Sequence, residues 1–375
     1  MKKIKIIAMV LVMAALFFIP TFSYADSTIK IGILGPMTGG SSMMGQGQRD
    51  GVLLYIDQIN KAGGIAGKKL EGVVMDDRGE VTLSINAVKK LLFKDEVIAV
   101  IGTPNSPVCL ATMDITEKEK TPQLLMGASP KLTEKPNNKW FVRITPSDVI
   151  MASNFVDFIV KDKGLKKLAI LHDSSDYGKG GKDAVMAKMK KYGLEPVAVE
   201  SFNVGDKDFA AQLNKIKTSK ADAVVLWGLY IESAQILTQA KQYGLTLPVF
   251  GSSGVLQGAF LTLAGAAAED LYIVTYFSTD NPDPKVQKFI KEYKSKFGIV
   301  PTPTAALAYD CATVLGDAIK EAGTNKEAIM AKLRSIKNKS GVIGRIESDP
   351  SGQLGQGAVI MQVKKGKTVV VKSVN

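Results

Sequence analysis

Short apolar runs separated by stretches of helical periodicity recur along most of this chain. In the first half they are "IKIGIL" (29–34), "KLEGVVMD" (69–76), "VIAVIG" (97–102) and "PQLLMG" (122–127). They resume as "KLAILHD" (167–173), "EPVAVES" (195–201), "ADAVVLWG" (221–228), "LPVFGSS" (247–253) and "DLYIVTYF" (270–277). Between them Val52, Ile56 and Ile59 share one helical face, and Phe209, Leu213 and Ile216 another. Strands alternating with helices predict βα units, parallel sheets and helices on both faces: the doubly wound α/β class.

The pattern also repeats internally. "KIGIL" followed by "AGGIAGKKLEGVVMDD" is echoed by "KLAIL" followed by "KKYGLEPVAVESF"; "AVIGT" is echoed by "VVLWG", and "LLMGAS" by "PVFGSS". Two similar Rossmann-like lobes are expected. Residues 280–340 read as mostly helical, and the tail from Gly344 reads as a β-ribbon broken by a Gly/Asp/Pro turn. Neither piece looks like a domain alone, so each should complete one lobe. That gives an N-terminal lobe of 26–146 plus 278–343 and a C-terminal lobe of 147–277 plus 344–375, with three crossings between them.

The first 25 residues stand apart. Lys2, Lys3 and Lys5 precede an apolar run from Ile6 to Ile19, then Pro20, with Ser23 and Ala25 at the small-residue positions of a secretory cleavage site. This predicts a signal peptide, residues 1–25, cut after Ala25, and a periplasmic mature chain. An uncleaved anchor is the competing reading; with no Cys at the cleavage site, a lipid anchor is not expected. The full chain carries 48 basic and 36 acidic residues, a net +12; the segment removes three lysines and no acids, leaving +9. The lysines are scattered over helix-like faces without interleaved aromatics, which points to a solvated surface rather than to nucleic acid. Two cysteines, Cys109 and Cys311, are no framework for a fold of this size and read as buried small side chains.

Ligands of doubly wound sheets bind beyond the carboxyl ends of the strands. The turns leaving those ends are "GPMTGGSSMMG" (35–45), "GTPNSP" (102–107), "GASP" (127–130), "HDSSDYGKGG" (172–181), "GLYIES" (228–233) and "GSSG" (251–254). They offer backbone N–H groups and hydroxyls at helix starts, which suit a carboxylate or another small anion. The first turn fails as a phosphate loop, because Gly45 is followed by Gln46-Gly47 rather than Lys-Ser/Thr, and the dinucleotide fingerprint lacks its third glycine. His172 is the sole histidine, so metal clusters and histidine-based triads find no residues; no metal site and no cofactor are expected. Asp76-Asp77 reads as a turn rather than a catalytic pair. The chain does not read as an enzyme.

Taken in order, "IKIGILGPMTGGSSMMGQGQRDG", "INKAGGIAGKKL", "VVMDDRG", "IAVIG", "LAILHDSSDYGKGG", "GDKDFAAQLNKIK" and "FGSSG" resemble the branched-chain amino acid (Leu/Ile/Val) binding proteins of ABC transporters, the type I periplasmic binding proteins. The resemblance runs over residues 28–365. It implies two doubly wound lobes on a three-segment hinge, closing on one small molecule and presenting it to an ABC permease in the inner membrane. A monomer without nucleic-acid partners is expected. A ligand-sensing receptor component of the same fold is the alternative.

The resemblance also implies a site. Ser106 matches the serine that holds the ligand carboxylate, and Gly127 and Ser129 match contacts on the next strand. Tyr177 matches an aromatic of the second lobe that closes over the ligand. Met44 stands where the family often has an aromatic, and Leu229, with Tyr230 beside it, where a tyrosine is frequent. Phe277 is expected to complete an apolar wall. Ser253 stands where the amino-acid binders carry the glutamate for the α-ammonium, and Gly79 and Asn105 where they carry a small disulfide. Without that glutamate the sequence leaves two ligands open: an ammonium-free aromatic or aliphatic acid, or an amino acid whose charge Asp148 or Glu232 would balance. Those two residues otherwise read as a hinge cap and a helix-surface residue.

Overall fold

The computed structural model describes residues 28–134 and 137–374; the expected signal peptide lies outside the described residues. Strand β1 (Ile29–Gly35) leads through the glycine-rich turn into α1 (Ser42–Lys61), followed by β2 (Leu70–Asp76), α2 (Val81–Phe93), β3 (Ala99–Ile101), α3 (Ser106–Lys118), β4 (Gln123–Leu125) and β5 (Phe141–Arg143). The sheet is parallel, in the order β2-β1-β3-β4-β5. The chain then enters α4 (Asp148–Asp157), β6 (Leu168–Asp173), α5 (Asp176–Lys190), β7 (Ala198–Phe202), α6 (Ala210–Thr218), β8 (Ala223–Trp227), α7 (Tyr230–Gln242), β9 (Val249–Gly251), α8 (Phe260–Ala264) and β10 (Tyr272–Thr275).

The second sheet runs β7-β6-β8-β9-β10, strand for strand the order of the first, and the internal repeat is therefore structural. It is extended by an antiparallel ribbon, β13 (Ala358–Lys364) and β14 (Lys367–Val374), with β13 paired to β10. Before that ribbon come α9 (Pro284–Phe297), α10 (Pro303–Ala322), α11 (Lys326–Leu333) and a hairpin of β11 (Lys339–Gly341) and β12 (Gly344–Ile346). The central strands are fully buried, as expected of a sheet covered on both faces.

The glycines of the opening turn now have a cause. A Cβ on Gly45 would lie 2.1 Å from the Pro36 carbonyl oxygen, and one on Gly51 2.2 Å from that of Ala305. They let α1 start tight against the turn and let α10 lie close along it. The passage is a packing device, not a phosphate cradle.

The chain passes between the two sheets three times, after β5, after β10 and before β13. The buried Arg143 binds the first to the third: its Nε donates to Gln353 Oε1 (2.6 Å) and its Nη1 to the Ser129 carbonyl (2.6 Å). Gln353 Nε2 in turn donates to the Thr145 carbonyl (2.8 Å). Asp310 of α10 accepts from the N–H groups of Val342 and Ile343 (3.0 and 2.9 Å), which keeps the β11–β12 hairpin on the first lobe's helices. Three-residue strands such as β5 and β11 carry no readable period and were not expected.

Candidate functional site

The carboxyl ends of all ten parallel strands face one another across the lobes. They enclose a cavity of about 250 Å³, lined by Ser41, Met44, Arg78, Asn105, Ser106, Met126, Ala128 and Thr145 on one side and by Ser175, Tyr177, Val204, Leu229, Glu232, Ser253, Gln257 and Tyr276 on the other. At roughly 30 Å³ per water, that is space for about eight waters, or one small molecule.

Five expected residues line it: Met44, Ser106, Tyr177, Leu229 and Ser253. Ser106 opens α3 beside Asn105, and its Oγ accepts the Ser129 N–H (3.2 Å), so the hydroxyl proton remains available to an anion. The first turn of the same helix, apart from Pro107, leaves N–H groups without intrahelical partners beside the cavity. Gly127 lies directly behind: a Cβ there would come within 3.0 Å of Ser106 Cα. Ser129 is buried next to it but does not line the cavity; its own Oγ is buried without a partner, 3.0 Å from where a Cβ of Gly180 would sit. Gly127 and Ser129 thus support Ser106 from behind.

Tyr177 presents its ring, because its hydroxyl is already used: it donates to Ser252 Oγ (3.0 Å) and accepts the Gly254 N–H (3.0 Å). Burial, chiefly, pushes that phenol well above its usual range, so it stays protonated. Tyr230 does not face the cavity. Its hydroxyl donates across the lobes to the Gly40 carbonyl (3.0 Å), a closure contact rather than a ligand wall. Phe277 is turned away too, stacked edge-on to Phe289 beside a second, smaller cavity, and its neighbour Tyr276 faces the ligand side instead. Successive residues of an extended segment point to opposite faces, so an expectation one position out lands on the wrong side.

Gly79 and Asn105, the positions of the family's disulfide, do meet: a Cβ on Gly79 would lie 3.7 Å from Asn105 Nδ2. Asn105 is instead hydrogen-bonded to Ser41 (3.3 Å). Gly79 has φ +75°, which only glycine adopts easily. The preceding turn is built by the two aspartates. Asp76 accepts from Met37 N (2.9 Å), Thr38 Oγ1 (2.6 Å) and Arg78 N (2.9 Å), while Asp77 accepts from Gly79 N (2.8 Å). Burial raises the Asp77 carboxyl to about 6. Their role is a turn, as expected.

His172, at the end of β6, bonds through Nδ1 to the Asp173 carbonyl (2.7 Å), and burial lowers its pKa. Asp148 does not line the cavity. Its oxygens are buried without hydrogen-bond partners among the described residues, and burial, opposed by the Arg143 guanidinium, pushes its carboxyl well above the usual range. Ser147, whose Oγ accepts the Ile150 N–H (3.3 Å), caps α4 in its place. Both cysteines are fully buried thiols.

Six polar lining residues had not been singled out as contacts: Ser41, Arg78, Asn105, Thr145, Ser175 and Gln257. Glu232, read as a helix-surface residue, is 5% exposed and belongs to the cavity wall. The legible signal was position: a polar residue on the first turn of a helix that follows a strand's carboxyl end faces the cleft, not solvent.

The lobes are in contact. Besides the Tyr230 bond, Lys131 pairs with Asp176 (2.8 Å), Met43 Sδ accepts the Ala259 N–H (3.3 Å), and Thr304 Oγ1 donates to Gln257 Oε1 (3.0 Å). This is a closed form.

Comparison with known proteins agrees with this architecture. The periplasmic binding protein family matches residues 28–368. The leucine-, isoleucine-, valine-, threonine- and alanine-binding protein of Pseudomonas aeruginosa is 32% identical over 339 residues, 89% of either chain. The isoleucine complex of a branched-chain amino acid transporter substrate-binding protein from Streptococcus pneumoniae superposes with a TM-score of 0.87 at 30% identity, covering 93% of this chain and 99% of the other. A benzoate complex of a solute-binding protein from R. palustris shares the fold alone, with TM-score 0.85 at 19% identity over 92% of this chain and 96% of the other. The chain belongs to the periplasmic binding protein family, a family of binding proteins rather than enzymes.

Proposed function

We propose that this family member is the extracytoplasmic solute receptor of an ABC importer. It binds one small carboxylate-bearing molecule between its lobes and hands it to a permease in the inner membrane. The observation that carries the reading is the convergence of ten strand ends on one closed cavity that has a helix start and a free hydroxyl on its first wall. The relatives' names supply the solute class: branched-chain amino acids, or a related acid.

In the open form Ser106 and the N–H groups of α3 capture the carboxylate, supported by Gly127 and Ser129. The lobes, 26–146 with 278–343 and 147–277 with 344–375, then rotate about the three hinge segments. Tyr177, Leu229 and Ser253 come over the ligand opposite Met44, and water is expelled. Closure is the signal the permease reads. A signal peptide removed after Ala25 would release the chain into the periplasm as a monomer; among the described residues no helix is long and apolar enough to cross a membrane.

Ser106→Ala tests the anion end. It removes a hydrogen bond to a charged group and should cost about 1.5–3 kcal/mol of affinity, read by titration calorimetry with the best ligand of an acid and amino-acid panel. An unaltered Kd would place the carboxylate elsewhere.

A further inference from the structure

We infer that Glu232, from the first turn of α7, supplies the anionic contact that Ser253 cannot, and that the ligand is a carboxylic acid bearing an ammonium group held against the Val204–Glu232 wall. The inference rests on the proposed cleft-binding role and assigns the ligand's second charge to a different element of the second lobe.

Glu232 is 5% exposed yet lines the cavity. Its Oε1 accepts the Gly205 N–H (2.8 Å); among the described residues Oε2 makes no hydrogen bond and no lysine or arginine pairs with the carboxylate. A carboxylate withdrawn from water without a cation is costly, and what offsets that cost must come from the ligand. The start of α7 favours a negative charge at this position.

The alternatives fail on placement. Asp148 does not line the cavity and is buried with no partner for either oxygen among the described residues. Asp173 does not line the cavity, and its Oδ1 accepts the Ser175 N–H (2.9 Å) and hydroxyl. On the opposite wall Ser106 and the start of α3 take the carboxylate, and the rim cation Arg78 adds attraction for it. Opposite charges on opposite lobes make a bipolar ligand bridge the cleft, so its two ends together draw the lobes shut.

The amine could be an α-ammonium or one at the far end of the chain, and the test separates them. The full chain is titrated with the standard amino acids and 5-aminopentanoate, and in parallel with their amine-free counterparts, among them 4-methylpentanoate and benzoate. An amine-bearing acid should bind, with its counterpart at least tenfold weaker, and Glu232→Gln should erase that discrimination by a loss of about 10- to 100-fold for the amine-bearing ligand alone. Leucine binding with 5-aminopentanoate silent marks the α-ammonium; the reverse marks the far-end amine. Amine-free acids that bind as tightly as their amino counterparts would overturn the assignment while leaving the cleft reading intact. So would discrimination that survives in Glu232→Gln. The wild-type comparison tests the ligand's ammonium even if the variant does not fold, and silence from every acid would overturn the proposal together with the cleft reading.

Discussion

Gly180→Leu should hold the lobes apart and weaken ligand binding by about 10- to 100-fold, without unfolding the protein. Gly180 lies on α5 in the second lobe, and a Cβ there would come within 2.8 Å of Pro130 Cδ and 3.0 Å of Ser129 Oγ, both on the first lobe. A leucine side chain at that seam has nowhere to go in the closed form. In the open form the seam parts, and leucine is a better helix former than glycine by roughly 0.8–1 kcal/mol. The ligand-free melting temperature should therefore hold or rise while Kd climbs. The sign pattern matters: a packing defect would lower both stability and affinity, whereas a wedge lowers affinity alone. An unchanged Kd would mean that α5 and the Ser129–Pro130 turn do not come together on binding.

Arg143→Met should destabilise the protein by about 3–5 kcal/mol, through the loss of a buried, fully engaged cation. The guanidinium serves Gln353 Oε1, the carbonyls of Ala128 and Ser129, and Thr133 Oγ1, and so fixes the first crossing against the third and against the turn behind Ser106. Burial lowers its pKa to about 10, which still leaves it charged at neutral pH. Methionine fills similar space but leaves those acceptors in a dry interior, at roughly 1–3 kcal/mol each before relaxation. Arg143→Lys should recover only part of the loss, since a point charge on a flexible stem cannot match the planar fork. Chemical denaturation reads both variants; a midpoint within error of the wild type would refute the network's structural role.

Much of this was legible in the sequence because the strands that build the two sheets carry long apolar runs. Ile31 and Ile33 of β1, or Ile170 and Leu171 of β6, sit between helices on both faces, and nothing but burial explains such runs. The repeat could be read for the same reason: each lobe places the same glycine and hydroxyl chemistry at the same strand ends. Legibility ended where position depends on one residue. Tyr230 and Phe277 adjoin true wall positions, Leu229 and Tyr276, but point elsewhere, and no pattern of single letters shows which neighbour turns inward. Glu232 was misplaced for another cause. A charged residue at a helix start reads as solvated, but Glu232 accepts the Gly205 N–H and is buried in the cavity wall. Arg78 sits on a turn whose geometry is set by Asp76 and Gly79, so its approach to the cleft follows from backbone conformation rather than from hydrophobic pattern.

Small-angle scattering of the protein with and without the best ligand of the panel tests the central claim, that the chain is a two-lobed receptor closing on a carboxylate-bearing solute. The radius of gyration should shrink on addition of ligand, and the melting temperature should rise with ligand concentration as mass action requires, by about 2.7 kcal/mol of added stability at a hundredfold excess over Kd. A radius and a melting temperature that stay constant across amino acids, aliphatic acids and aromatic acids alike would contradict it.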